Sequence, residues 1–186
     1  MRRAAVAVAV TCVLACVAGA SRAEAVEREH HVGVDAGGAI LAMSDKTDVG
    51  VGVGAHWTYG LSDAFNLMVE GSWSLLAPGE KVESATTPRT RPASAANADV
   101  GVGYVLDVLR WVPYGGVLVG GYALMGGTLD GTRVLPGAAL ALGLDYRFDR
   151  SFAGGVAFRQ HLLVTDASTY PSFTQVFVRA EYTWGW

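Results

Sequence analysis

Along residues 49–60, VGVGVGAHWTYG, every second side chain is apolar or aromatic and those between are Gly, His or Thr. Period two of this kind marks a strand whose two faces meet different surroundings. The same alternation recurs down the chain and predicts eight strands, near 31–42, 49–61, 65–75, 96–106, 112–124, 138–148, 152–162 and 174–186. No sustained 3.6-residue period competes with it. At 11 to 13 residues these strands exceed the roughly 5–6 residues usual in soluble sheets and reach the roughly 9–11 that a tilted strand needs to cross a bilayer.

The connections alternate in size. Residues 62–64, 107–111 and 149–151 are tight turns, whereas 43–48, 77–95, 125–137 and 163–173 are longer and richer in Gly, Pro, Ser, Thr and charge. Short turns at one end and long loops at the other are the layout of an outer-membrane barrel, with the turns in the periplasm. Eight such strands put both termini in the periplasm.

One face of each strand comprises the even positions in 32–42, the odd ones in 49–61 and 65–75, and the even ones in 96–106, 112–124, 138–148, 152–162 and 176–186. These 50 positions carry no charge, where the chain's overall charged fraction of 17% would place about eight. The opposite parity holds Asp35, Glu70, Asp99, Asp145, Arg147, Arg159, Arg179 and Glu181, together with His56. Which face is buried is a separate question, because a soluble lipocalin-like barrel keeps the apolar face inside. Three features favour the reverse. The polar-parity face is filled with Gly50, Gly52, Gly54, Gly60, Gly101, Gly103, Gly143 and Gly155 rather than with Lys, Glu and Thr; the only lysines, Lys46 and Lys81, fall in loops. Glycine there suits a narrow, crowded interior. Large rings gather beside the short turns and the C-terminus: Trp57, Tyr59, Phe65, Trp111, Tyr146, Phe148, Phe152, Trp184 and Trp186. That layer reads as a membrane-interface girdle, with Trp73 and Tyr122 beginning a second one at the far end. The few charges are of both signs and can pair across a lumen, whereas Arg or Lys facing lipid at midplane costs about 2–4 kcal/mol.

The N-terminus adds an address. Arg2 and Arg3, the apolar run AAVAVAVTCVLACVAGA and the Ala23-Glu24-Ala25 cleavage pattern have the layout of a secretory signal peptide. Cleavage after Ala25 leaves residues 26–186 as a single barrel domain with formal charge −5, which argues against a nucleic-acid surface. Both cysteines, Cys12 and Cys16, fall inside the signal, so the exported part has no disulfide or Cys metal site. Val13-Leu14-Ala15-Cys16 loosely matches a lipidation box and is the alternative to cleavage.

The stretch GLDYRFDRSFAGGVAFRQH (143–161) and the final VFVRAEYTWGW (176–186) carry a resemblance to the eight-stranded outer-membrane barrels of the OmpA/OmpX/OmpW-like kind. The first is strand, tight turn and strand with an inward Arg; the second alternates to an aromatic last residue, where the family usually ends in Phe. The resemblance implies an all-β, antiparallel up-and-down transmembrane barrel. It also implies delivery to the barrel-assembly machinery through the C-terminal strand, contact with outer-membrane lipid and lipopolysaccharide, and a monomer.

Candidate chemistry is sparse. Strand pairing places His56 opposite both Asp35 and Glu70, a His between two carboxylates, and Arg159 and Arg179 reach Glu70, Asp99 or Glu181 across the lumen. This is read as a polar network that fills the barrel, with proton handling as its functional alternative. His30 and His31 point to opposite faces and chelate poorly, and Gly50-x-Gly52-x-Gly54 runs on as strand rather than opening a helix. The lipid A deacylase group resembles the chain in size, but its serine two residues after the His is Leu163 here, and Ser168 and Ser172 lie in a loop. The expectation is therefore a non-enzymatic envelope barrel without cofactor or metal, with surface contacts through 77–95. A narrow pore is the alternative, and a soluble binder or a lipid-modifying enzyme stands behind it.

Overall fold

In a computed structural model, which describes residues 28–44, 47–77, 91–106 and 110–185, the chain forms one closed antiparallel barrel in sequence order. Its strands are β1 (His30–Ala42), β2 (Thr47–Gly60), β3 (Phe65–Ala77), β4 (Ser94–Val105), β5 (Trp111–Met125), β6 (Arg133–Arg147), β7 (Phe152–Leu163) and β8 (Ser172–Trp184). Closure comes from β1 pairing with β8, from His30 against Trp184 to Ala42 against Ser172. Among the described residues every strand has a paired neighbour on both sides, which is the condition for a sheet in hydrocarbon. The signal segment 1–25, most of the long loop at 78–90, Lys46 and Trp186 lie outside the described residues.

Strands run longer than the alternation predicts, chiefly at the long-loop end. β6 begins at Arg133 instead of 138, because the ladder with β5 continues through Gly121–Pro136 and Tyr122–Leu135. Pro136 can sit there because β7 pairs with β6 only up to Gly137–Leu163, so the extension is an edge. The β5–β6 hairpin turns through Gly126 and Gly127, at φ of 69° and 67°, in the left-handed region that glycine enters at no steric cost.

The apolar rows face outward. Val51, Val117 and Val178 are 66%, 66% and 68% exposed, a pattern possible only where the surroundings are themselves apolar. The interior holds the charges: Asp99, Arg159 and Arg179 are all buried.

One strand departs from the expected facing. Val112, Gly116, Leu118, Tyr122 and Leu124 of β5 were assigned to lipid by parity, yet they are buried in the lumen, as is most of Tyr114; Trp111, Val117 and Val119 face out. β5 has no charge on either face, so alternation offers two apolar sides and nothing to choose between them. Seating Trp111 in a lipid-facing girdle itself demands odd parity outward, since neighbours on a strand point to opposite sides. Tyr122 consequently belongs to the interior and not to an outer girdle, which leaves Trp73, 44% exposed, as the ring at that end.

Candidate functional site: the charged lumen and its apolar seal

Four layers fill the barrel from the short-turn end to the long-loop end. The first is a small vestibule of about 40 Å³, lined in part by His31, Asn66, Met68, Asp145 and Arg147. That is room for about three waters. Arg147 sits at its mouth, partly exposed, with Nη2 3.7 Å from Glu29.

The second layer is ionic. His56 lies opposite Gly33 on β1 and opposite Glu70 on β3; a Cβ at Gly33 would overlap the imidazole, so the ring occupies space that only glycine leaves open. His56 Nδ1 is 2.9 Å from Asp35 Oδ2, and Nε2 is 3.2 Å from Glu181 Oε2 and in contact with Arg179 Nη2. The two carboxylates accept from the ring and the Arg179 guanidinium crowds its Nε2 edge, so the imidazole joins Asp35, Glu181 and Arg179 in one cluster. The expected arrangement, His56 between Asp35 and Glu70, is thus half replaced: the second carboxylate at the ring is Glu181. Glu70 instead turns toward β7, where Arg159 Nε donates to both its oxygens at 2.9 and 2.8 Å. The reason is competition, since a fixed guanidinium outbids an imidazole for a carboxylate.

Arg179 is the hub. It donates to Glu181 Oε2 at 2.8 Å, bonds the Tyr114 hydroxyl, and has Asp145 and Asp35 at 3.6 and 3.9 Å from Nε. Tyr114 stands between the two arginines. Its ring centroid lies 5.0 Å from the Arg179 guanidinium and 5.7 Å from that of Arg159, and Arg159 Nη2 donates to its hydroxyl at 3.4 Å. The ring spares two cations from facing each other directly. Sequence reasoning missed Tyr114 because it rode on the misassigned parity of β5; a tyrosine amid glycines on a strand without charges was the available signal, since a buried phenol needs a partner.

The third layer is a chain of uncharged polar side chains that ends on one carboxylate. Tyr122 Oη meets His161 Nδ1 at 2.9 Å, His161 Nε2 meets Gln175 Oε1 at 3.0 Å, and Gln175 Nε2 donates to Ser72 and Ser74 at 2.7 and 3.1 Å. Ser72 bonds Asn97, whose amide donates to Asp99 at 2.5 Å. Asp99 therefore sits with Asn97 and not with an arginine. His161, the residue weighed as a deacylase-type histidine, is fully buried between Tyr122 and Gln175.

The fourth layer is an apolar seal of Leu41, Leu76, Tyr122, Leu124, Leu163, Tyr170 and Phe173. Tyr170 belongs to the β7–β8 loop and is fully buried, and that burial pushes its phenol above the ordinary value. Above the seal, Arg91 ion-pairs with buried Asp48, and its carbonyl accepts from Thr128 N at 2.8 Å, tying the end of the longest loop to β2 and to the β5–β6 turn.

Outside, the rings of the short-turn end pack edge to face, tilted or stacked. Trp111 meets Tyr146 at 4.9 Å, Tyr146 meets Phe148 at 5.4 Å, and Phe152 meets Tyr182 at 5.2 Å. Phe65 meets Tyr104 at 5.3 Å, Trp57 meets Tyr59 at 6.3 Å, and Tyr182 meets Trp184 at 6.0 Å. His30 joins this layer, stacked on Trp184 at 5.2 Å, while His31 turns inward to Glu181 at 2.8 Å.

The comparisons agree with this geometry. Neisserial surface protein A superposes with a TM-score of 0.63 at 14% identity, over 84% of this chain and 97% of that one. The N-terminal β-barrel domain of Pseudomonas aeruginosa OprF gives 0.59 at 11%, over 85% and 98%. Ail, the attachment invasion locus protein of Yersinia pestis, gives 0.56 at 15%, over 85% and 99%. At these identities the likeness is one of fold. No protein of curated function matches the chain in sequence. The profile of the outer membrane protein beta-barrel domain family, however, matches residues 9–183, nearly the whole of a chain whose uncharged face looks outward and whose ions are enclosed. The chain is a member of the outer membrane protein beta-barrel domain family, an eight-stranded barrel of the Gram-negative outer membrane.

Proposed function

We propose that this barrel is a non-enzymatic envelope protein that holds surface-contacting loops on a closed, membrane-anchored stem. The observation that carries the reading is the seal: Leu41, Leu76, Tyr122, Leu124, Leu163 and Phe173 fill the outer end of the lumen in one apolar cluster. An ion entering from the periplasmic vestibule would meet first a set of paired charges and then hydrocarbon, and a charge in hydrocarbon is costly. The loops above are braced, as the Asp48–Arg91 pair and the buried Tyr170 testify, and a braced rim suits display better than passage. Ail, a barrel of the same fold, bears the name of an attachment and invasion protein. The longest loop, 77–95, is the segment assigned to a surface ligand, and the C-terminal strand ending in Trp184-Gly185-Trp186 is the segment assigned to the assembly machinery.

The vestibule favours the second reading, a narrow facilitator whose seal opens. Planar-bilayer recording of refolded 26–186 separates the two. Silence at protein levels that insert demonstrably is the expected result, and unitary steps of reproducible size would replace the display reading with the pore. Lipid A of unchanged mass in cells overproducing the protein is expected as well; a lost acyl chain would overturn the non-enzymatic assignment.

A further inference from the structure

Among the described residues, the lipid-facing wall carries a built polar feature well above the girdle. On β7, Gln160 points outward between Phe158 and Leu162, and its Oε1 accepts from Thr174 Oγ1 of β8 at 2.8 Å. That bond uses the carbonyl end, and among the described residues no acceptor meets the amide nitrogen. A free N–H₂ against hydrocarbon is unfavourable unless something accepts from it.

Its depth says what could. Gln160 lies eight residues above Phe152 of the periplasmic girdle, which at about 3.3 Å per residue and a tilt of about 40° is about 20 Å along the membrane normal. In an apolar band about 25 Å tall, this is just beneath the outer polar boundary. Trp73, eight residues above Phe65, stands at the same height by the same count, in keeping with an interfacial ring. The acceptors available at that depth are the ester and amide carbonyls where acyl chains join their headgroups.

A groove of about 560 Å³ runs from this amide down the outer wall, with Leu162 beside Gln160 at its upper end, Ala138 and Leu140 on β6, Val117 on β5 and Val102 on β4. It spans three interstrand spacings, about 14 Å, which is wider than a single hydrocarbon chain. Above its upper end, Arg133 at the tip of β6 reaches Asp166, just past the end of β7, at 3.4 Å, with 45% of its side chain exposed. Only one of its nitrogens is engaged in that pair, and a guanidinium has five N–H donors.

We infer that this wall is a specific seat for a phosphorylated, multiply acylated glycolipid of the outer leaflet. Its chains lie in the β4–β7 groove, one acyl carbonyl accepts from the Gln160 amide, and a phosphate meets Arg133. The inference deepens the contact with outer-membrane lipid and rests on the outer-membrane placement of the barrel.

Binding of purified lipid A to the refolded 26–186 protein in mild detergent, read by native mass spectrometry, tests it. Wild type is expected to hold one lipid A per barrel, and Gln160→Leu to weaken it about fivefold, the loss of one hydrogen bond. Arg133→Gln is expected to weaken phosphorylated lipid A and to leave the dephosphorylated form unaffected. All variants are first shown to keep the mobility shift of unheated samples on a gel, which checks the membrane barrel separately from the lipid seat. Equal affinity in wild type and Gln160→Leu would overturn the inference. So would phosphatidylethanolamine binding as well as lipid A, or a second barrel occupying the wall as a dimer.

Discussion

Replacing Arg159 by methionine removes a buried cation, keeps an unbranched apolar stem and leaves Glu70 behind without its partner. The wild-type pair is made by two bonds of 2.9 and 2.8 Å, with 4% and 9% of the two side chains exposed. Stranding one member of such a pair costs about 3–5 kcal/mol. Urea unfolding in lipid vesicles at pH 7, followed by tryptophan fluorescence, measures this. Arg159→Met with Glu70→Gln should recover at least half of the pH 7 loss, because no charge remains to strand. A single variant within 1 kcal/mol of wild type at pH 7, or a double variant no better than the single, would refute the ionic layer as a paired, water-poor network.

Three other perturbations probe separate parts of the barrel. Val117→Arg places a cation on the outward row of β5 and should cost about 2–4 kcal/mol in the same unfolding assay; no loss would mean that the side chain is not against lipid. Gly143→Val puts a side chain where the Tyr114 ring lies, and should lower folding yield on gels of unheated samples unless Tyr114→Ala is present too. Asp48→Asn breaks the ion pair to Arg91 and should speed protease cleavage within the 77–95 loop at least threefold while the barrel fragment stays resistant; an unchanged rate would show that the pair does not brace the loop.

Much of the fold was legible because a bilayer wall enforces strict alternation wherever one face carries ions. Asp35, Glu70, Asp99, Asp145, Arg159, Arg179 and Glu181 each announce the inward parity of their own strand, and the enclosed side of the barrel receives all of them. β5 is the exception that explains the rule: with no charge on either side, its facing is set by neighbours it meets only after closure, such as Arg159 and Arg179 around Tyr114. The partners of individual ions were less legible than their parity. His56 pairs as expected with Asp35, a neighbour one strand away, but Glu181 reaches it from β8 across the β1–β8 closure, a contact that local strand counting does not reach. His31, weighed only as a metal ligand beside His30, turns inward to Glu181, and Gln175, Ser72 and Asn97 stand as single polar residues on their strands until the ring of strands brings them together. The apolar seal shows the same limit: Leu41, Tyr122, Leu163 and Phe173 come from four strands, Tyr122 stands in a row expected to meet lipid, Leu163 and Phe173 lie one residue beyond the expected strand ends, and no local pattern joins them.

The central claim is that alternate residues meet lipid and an enclosed lumen on every strand, and β5 is where it is most exposed to error. Residues 26–186 contain no cysteine, so single cysteines at Val117, Leu118 and Val119 can each carry one fluorophore in refolded protein. Quenching by brominated lipid chains should be strong at 117 and 119 and weak at 118. Strong quenching at 118 with weak quenching on either side, or equal quenching at all three, would contradict it.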